Sequence, residues 1–576
     1  MLDLKIINGT IVDGSGRPGY RGDVGVKDGR IVALGTLGEP AAQTIDASGK
    51  IVSPGFIDVH THYDAQAFWD RALTPSSLHG VTSIFGGFCG FSIAPLHPDA
   101  SDYLMRMLSH VEGMPLESLQ QGVPWDWKTF GDYLGKLEGK LAVNAGFCAG
   151  HSAIRRWVMG ERAVGHEATE QEIADMADLL RQSIRQGALG FSTSLSVTHN
   201  DGDSAPVPSR SASRHEVMAL ARVVAEFDGT IAELIPGVDF NEEVYQILTD
   251  FSLNTQRPVN WNAALIQSAK PDVIAAAEHK LKATNYARAQ GAEVIALTTP
   301  QAATVRMNFF TGFILDALPD WFKLFKLPLD ERMQKMRDPE YRRHLLERGT
   351  SDEAGALRVL LAFDNLKVDE AFSDATRPYI GRTIGDIARA EGKAPFDVML
   401  DLALADNLKT SFMPGHADNS RATFVERAKL WRDDRTVVGA SDAGAHVDSI
   451  DTFAFSTMML GLGVREYGVI SLEEAVQQLT QKAAQLYGLR ERGEIREGWF
   501  ADLVVFDPAT VGAGPTYTKF DLPAGAGRLY ADAYGIEHVI VNGTPIVAHG
   551  ELTGATPGTI FHPGRDTETR RIPAAA

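Results

Sequence analysis

Gly55-Phe56-Ile57-Asp58-Val59-His60-Thr61-His62 closes an apolar run that begins at Ile51 and is broken by Pro54-Gly55. In an extended strand side chains alternate between faces, so His60 and His62 present their imidazoles to one side at the strand's end. Two neutral imidazoles on one face suit a divalent metal of the zinc type. Without context such a pair is more often two solvated or hydrogen-bonded histidines, so the rest of the chain has to decide.

Working outward, similar runs recur. With Ile51–Val59 there are eight: Val81–Gly87, Leu141–Phe147, Gly187–Thr193, Gly229–Ile235, Pro258–Ala263, Glu293–Thr298 and Thr436–Ser441. Helical stretches separate several of them. The clearest covers about 169–186, opened by a Thr169/Glu172 capping box and striped by Ile173, Met176, Leu180 and Ile184. Eight parallel strands with intervening helices predict an α/β fold, a (β/α)8 TIM-like barrel whose active site lies at the C-terminal strand ends.

The two ends of the chain predict a small β domain. Leu4–Ile7, Asn8-Gly9 and Thr10–Val12 read as a hairpin, and Asp28-Gly29 as the turn of a second. Ala501–Asp507 and Val539–Val547, the latter turning at Asn542-Gly543, supply partner strands. The division is a discontinuous β-sandwich from residues 1–54 and about 490–560, and a barrel over 55–489. The polar tail after Pro563 reads as loose. Residues 300–375 interrupt the alternation with Phe309, Phe310, Trp321, Phe322 and Phe325, then a charged helix over 338–348. An insertion there is either a lid or substrate pocket, or a surface-packed excursion.

Bulk properties narrow the function. At 576 residues, 44% hydrophobic and 22% charged, the chain can bury a large core. A net charge of -19 argues against nucleic-acid or anionic-membrane partners. The start of the chain has no signal-peptide pattern, and no run has the length of a membrane span. Two cysteines, Cys89 and Cys148, cannot build a disulfide framework, so a reducing cytoplasm is expected.

Two further strand ends carry chemistry. Cys89 sits among glycines in Gly86-Gly87-Phe88-Cys89-Gly90 and is either a thiolate ligand or inert packing. Asp442 ends the last run, where a carboxylate serves either as general base or as a helix N-cap.

The ordered set Pro54–His62, Gly80-Val81-Thr82 through Cys89-Gly90-Phe91-Ser92, Gly150–Arg155, Gly190-Phe191-Ser192-Thr193 and Ser441-Asp442 resembles the amidohydrolase superfamily. Within it the pattern is similar to the N-acyl-D-amino-acid deacylases (D-aminoacylases). The stretch Arg492–Gly498 with Ala501–Pro508 matches the same family, and the likeness covers nearly the whole chain. It implies zinc held by His60, His62, Cys89 as thiolate, and Asp442, with Asp442 also moving a proton from water to the leaving nitrogen. It implies that His151 contacts substrate or oxyanion, although a structural histidine fits the residue as well.

Departures from the family pattern matter too. The family carries histidines at the ends of strands five and six, where this chain has Glu233 and the stretch Asn260-Trp261-Asn262. One ion, zinc or another divalent metal, is therefore expected, with Glu233 a substitute ligand or a rim carboxylate. After the strand-eight Asp the family carries a basic residue that holds the substrate carboxylate. Here His446 is followed by Asp448 and Asp451. A neutral or cationic amide then fits better than a free acid, unless Arg306 supplies the charge. Glu233, Asn262, Arg306, His446 and Asp451 are the candidates for substrate contact. The leading expectation is a hydrolase of a linear amide C–N bond in a small-molecule N-acyl compound. The alternatives are a cyclic amide or carbamate hydrolase and a catalytically silent barrel acting as a binding protein. Homo-oligomerisation stays open.

Overall fold

The computed structural model describes residues 1–572 apart from Val238, Thr304, Phe313 and 415–417. Strands β1 (Leu2–Ile11), β2 (Tyr20–Lys27), β3 (Arg30–Gly35), β4 (Ala41–Asp46) and β5 (Ile51–Pro54) occupy the start of the chain. They join β17 (Leu503–Phe506), β18 (Ile536–Val541), β19 (Thr544–Ala548) and β20 (Glu551–Leu552) from the other end. The nine form one hydrogen-bonded sheet, with β5 running antiparallel to β17 through Val52↔Val505 and Ser53↔Val504. Leu4, Ile6, Val24 and Val52 share a buried cluster with Leu503, Val505 and Ile540, so neither end buries its strands without the other.

Two local expectations fail here for identifiable reasons. Asn8-Gly9 is not a hairpin turn: β1 runs straight through it, pairing with β2 at Ile6↔Val24 and again at Gly9↔Gly22. The positive φ of Asn8 (63°) is used for a bulge within the strand. Ile51–Val59 is likewise not one strand. The chain bends at Gly55, where a Cβ would stand 2.1 Å from Thr82 Oγ1, and Gly55 N donates to Asp502 O at 2.8 Å. β5 stays in the terminal sheet, and β6 (Phe56–Asp58) starts the parallel set.

That set continues with β7 (Val81–Gly86), β8 (Asn144–Phe147), β9 (Ala149–Gly150), β10 (Gly190–Ser194), β11 (Ile231–Ile235), β12 (Val259–Trp261), β13 (Val294–Thr298) and β16 (Thr436–Val438). Every neighbouring pair is parallel, in two ladders, β6-β7-β8 and β9-β10-β11-β12-β13-β16. β8 and β9 are separated by Cys148 alone, whose N donates to Gly86 O at 2.9 Å. At the other margin, Asp442 N donates to His60 O at 3.2 Å and His62 N to Ala443 O at 2.8 Å. The continuation of the last strand therefore lies beside the continuation of the first. Ile57, Val59, Phe85, Cys148, Leu189, Ile231, Ile295, Leu297 and Ala440, drawn from both ladders, pack in one buried cluster. The helix Glu170–Arg185 begins at the expected capping box, with both reciprocal bonds between Thr169 and Glu172.

Between β13 and β16 the excursion is longer than residues 300–375. It holds β14 (Leu366–Glu370) paired antiparallel with β15 (Ser411–Pro414), and its own buried cluster runs from Met307 to Phe412. The tail after Pro563 is also packed, not loose, over 567–568: Glu568 N donates to Gly488 O, and the buried Thr567 donates its hydroxyl to Gly229 O. Among the described residues, no helix is long and apolar enough to cross a membrane.

Candidate metal centre and active site

The strand period does what the sequence requires of His60 and His62. Both imidazoles are buried, and their ring centroids lie 5.2 Å apart. Each turns Nε2 toward Cys89 Sγ, at 3.5 Å from His60 and 3.8 Å from His62. Ligand atoms of these three residues all fall within 4.8 Å of one another. Asp442 joins from the far end of the parallel set, with Oδ1 3.1 Å from His60 Nε2 and 3.8 Å from His62 Nε2. Phe88 stacks on His60 at 4.9 Å and fixes its ring plane.

Cys89 reaches this point through left-handed backbone. It has φ 54° and lies between Gly87 (φ 71°) and Gly90 (φ 74°). A Cβ on Gly87 would stand 2.1 Å from Cys148 O, so the loop closes only with glycine there. Gly87→Ala is expected to cost about 2 kcal/mol or more, from strain and backbone displacement. Chemical denaturation measures it, and an unchanged midpoint would show that the loop relaxes freely.

The outer nitrogens of the pair face buried carboxylates. His60 Nδ1 lies 3.4 Å from Glu233 Oε1, and His62 Nδ1 lies 3.5 Å from Glu112 Oε1. Neither contact has hydrogen-bond geometry, and His60 Nδ1 is buried without a partner, but each carboxylate stands on the side where an outer acid orients a metal-binding imidazole. Glu233, on β11, also accepts a 2.8 Å bond from Cys89 N, so it braces the cysteine beside His60. Asn262 Nδ2 donates to Asp442 Oδ1 at 2.9 Å. His446 also joins the group, with Nε2 3.9 Å from Glu112 Oε2.

Electrostatics show what the group lacks. Burial drives the Cys89 thiol well above its ordinary value, and Glu233, Glu112 and Asp442 add to the shift. Burial raises Glu233 to about 7 and lifts Glu112 strongly. Asp442 is opposite: burial is outweighed by the His60 hydrogen bond and by the charges of His60 and His62, which hold it at about 2. Three carboxylates and a thiol thus crowd the imidazoles of His60, His62 and His446, a set of donors that a divalent cation would draw together. Two nitrogens, one sulfur and one carboxylate oxygen are a donor set that zinc accepts, so the residues fit the metal. Because the buried thiol keeps its proton at neutral pH, zinc uptake has to displace it. Zinc affinity should rise about tenfold per pH unit for each proton released, and fall as pH drops through neutrality. Competition titrations at several pH values test this, and a pH-independent affinity would count against a thiolate ligand.

Not every candidate gathers here. His151 is spent: its Nδ1 bonds Thr193 Oγ1 at 2.8 Å and its Nε2 bonds Glu216 Oε1 at 2.9 Å, while Arg155 holds the same glutamate. With both ring nitrogens engaged by protein, the catalytic role expected of His151 gives way to a structural one. Arg306 does not offer a free guanidinium, since it pairs with Asp369 at 2.5 Å and Glu370 at 3.3 Å. Asp451 accepts from Thr516 Oγ1 at 2.8 Å and faces Gln301. Glu233 and Asn262, expected to touch substrate, instead hold Cys89 and Asp442. Glu112 carried no signal in the sequence, because it caps an unremarkable helix, Ser101–Val111. Asp58 stood in the opening motif without a role. It accepts the Ser441 hydroxyl, which ties the first strand to the last.

A family model described as the amidohydrolase family matches residues 43–547. The chain belongs to the amidohydrolase family. Among curated relatives of this amidohydrolase, a D-aminoacylase of Alcaligenes xylosoxydans xylosoxydans is 31% identical over 570 residues, covering 97% of each chain. An N-acyl-D-aspartate deacylase of the same organism is 30% identical over 571 residues, covering 98% of this chain and 95% of that one. Among solved structures, a D-aminoacylase superposes with a TM-score of 0.65 at 27% identity, covering 97% of this chain and 99% of that one. The N-acyl-D-glutamate deacylase of Bordetella bronchiseptica, solved with zinc and a phosphonate mimic of the tetrahedral intermediate, gives 0.65 at 25% identity with the same coverage.

Proposed function

We propose that this amidohydrolase is a zinc-dependent hydrolase of a linear amide C–N bond in an N-acyl compound, similar to the deacylases it resembles. The observation that carries the reading is the convergence of His60, His62, Cys89 and Asp442 from three separate strand ends. On this reading the two ladders are one (β/α)8 barrel over residues 55–489, and the nine-stranded sheet is a companion domain from 1–54 and 490–560. His60, His62, Cys89 and Asp442 hold one ion, with another divalent metal compatible, because β11 and β12 carry Glu233 and Asn260 in place of further imidazoles. When bound, the ion would supply Lewis-acid activation of water and of the amide carbonyl.

The protein groups then divide the work. Asp442 is the partly exposed member, with 26% of its side chain accessible against 0% and 3% for the two imidazoles. It takes the proton from the water that adds to the carbonyl carbon, and delivers it to the leaving nitrogen as the C–N bond breaks. Asn262 keeps the Asp442 carboxylate aimed through that transfer. Glu233 and Glu112 hold the histidine tautomers. The expected partner is a small-molecule amide, with no nucleic acid or membrane involved, and the expected compartment is the cytoplasm.

The test is turnover by zinc-loaded protein on matched N-acyl amides, free N-acyl amino acids, and cyclic amides or carbamates. Release of acid and amine from the linear compounds supports the proposal. Turnover of rings alone would move it to a cyclic amide or carbamate hydrolase. No turnover in protein that also rejects zinc would make it a silent binding barrel.

A further inference from the structure

His199 stands at the edge of the candidate metal centre, on the loop that leaves β10. It carried no signal in the sequence, where it sits in the polar stretch 198–204. Two contacts tie it to the loop of Cys89. Its ring centroid lies 5.1 Å from that of Phe91, and its Nδ1 lies 2.7 Å from Ser194 Oγ. Ser194 ends β10 beside the cysteine loop: Gly90 N donates to Ser192 Oγ at 3.1 Å, and a Cβ on Gly90 would stand 3.2 Å from Ser194 N. The charges of His446, Asp442 and His60 act on His199, and His199 acts on His62. The imidazole therefore lies within electrostatic reach of the groups that would hold the ion. Its backbone is fixed as well: N donates to Ser196 O at 3.1 Å, and O accepts from Val207 N at 3.3 Å and Arg210 Nη1 at 3.0 Å.

The tautomer of the ring follows from its partner. Ser194 Oγ accepts from Ser196 N at 3.2 Å, and its own hydrogen has no acceptor but His199 Nδ1 among the described residues. Nδ1 is thus the acceptor, and the ring's hydrogen sits on Nε2. That nitrogen bonds nothing among the described residues, yet it is not sealed away from solvent. Burial, aided by the His446 imidazole, pushes His199 down to about 3, so the ring stays neutral and keeps this one donor. Donors are what the centre lacks. Asp442, Glu233 and Glu112 are acceptors, and Asn262 Nδ2 is given to Asp442. A carbonyl oxygen that gains negative charge needs a positioned N–H.

We propose that His199 is a further catalytic residue, whose Nε2–H donates to the acyl oxygen of the bound amide and holds that oxygen as water adds to the carbonyl carbon. The inference rests on the hydrolase reading for its reaction. The C=O double bond becomes C–O⁻ as the water oxygen bonds to carbon, and re-forms as the C–N bond breaks. Asp442 takes the proton of the water and gives it to the leaving nitrogen, while His199 keeps its hydrogen throughout.

Zinc-loaded wild type, His199→Phe and His199→Gln test this. Phenylalanine keeps a ring against Phe91 without a donor, whereas glutamine keeps an N–H but cannot relay a proton. Turnover is measured on racemic N-acetylphenylalanine and its primary amide. Calorimetry measures affinity for the matching racemic N-methylphosphonyl compounds, which carry tetrahedral oxygens in place of the acetyl carbonyl. His199→Phe should lower kcat about 10²-fold, the lower end for loss of one oxyanion donor, and leave KM within about threefold. It should weaken the phosphonyl compounds by about tenfold or more, with zinc content unchanged, and His199→Gln should regain about tenfold in kcat. If His199→Phe does not fold, His199→Ala takes its place. An unchanged kcat, an equal loss in both variants, loss of zinc, or phosphonyl binding that is absent or untouched by the substitution would overturn the proposal. Phosphonyl binding weakened as expected, in protein that hydrolyses neither amide, would sink the hydrolase reading and leave the donor in place.

Discussion

Asp442→Asn should lower amide hydrolysis by about 10²- to 10⁴-fold, the range for removing a positioned general acid–base group. Asparagine keeps the shape and a neutral oxygen 2.9 Å from Asn262 Nδ2, but cannot take a proton from water or return one to nitrogen. It also removes the negative charge that faces both imidazoles at 3.1 and 3.8 Å, so zinc should bind more weakly. Assays at saturating zinc isolate the proton-transfer loss from the metal loss. A variant that keeps more than about a tenth of wild-type activity would remove Asp442 from the reaction.

Glu112→Gln carries the second large effect. Glu112 is 3% exposed and stands between His62 Nδ1, at 3.5 Å, and His446 Nε2, at 3.9 Å. Glutamine can still accept from Nδ1–H but brings no charge, so the imidazole loses basicity and its tautomer is less firmly held. Zinc affinity should fall about 10- to 100-fold, as for other outer carboxylates of metal-binding histidines. At saturating zinc the loss in kcat should be smaller, which distinguishes a positioning residue from a catalytic one. Unchanged affinity would mean that His62 is oriented by packing alone.

Much of this arrangement could be read before any coordinates, for a specific reason. His60 and His62 are two apart at the end of an apolar run, and the strand period alone aligns them. Asp442 ends another such run, and parallel topology brings strand ends to one side. Cys89 was legible through its glycines, since Gly87 and Gly90 mark the positive φ that the turn requires. What resisted reading depends on distance across the fold. Glu112 comes from a loop after a helix, and nothing near it in sequence distinguishes it from any surface glutamate. His151 looked available because its partners, Thr193 and Glu216, are 42 and 65 residues away. Arg306 looked like a carboxylate receptor until Asp369 and Glu370, from β14, took its charge. Asn8-Gly9 misled because a dipeptide that favours positive φ serves a bulge as well as a turn.

The central claim is that groups from the first, second and last parallel strands share one cation. Metal analysis with X-ray absorption at the zinc edge, on protein prepared with ample zinc, tests it most directly. The account predicts one zinc per chain with a sulfur ligand and imidazole nitrogens, and loss of the sulfur signal in Cys89→Ser. Protein that takes up no stoichiometric zinc, or zinc whose shell contains no sulfur, would contradict it.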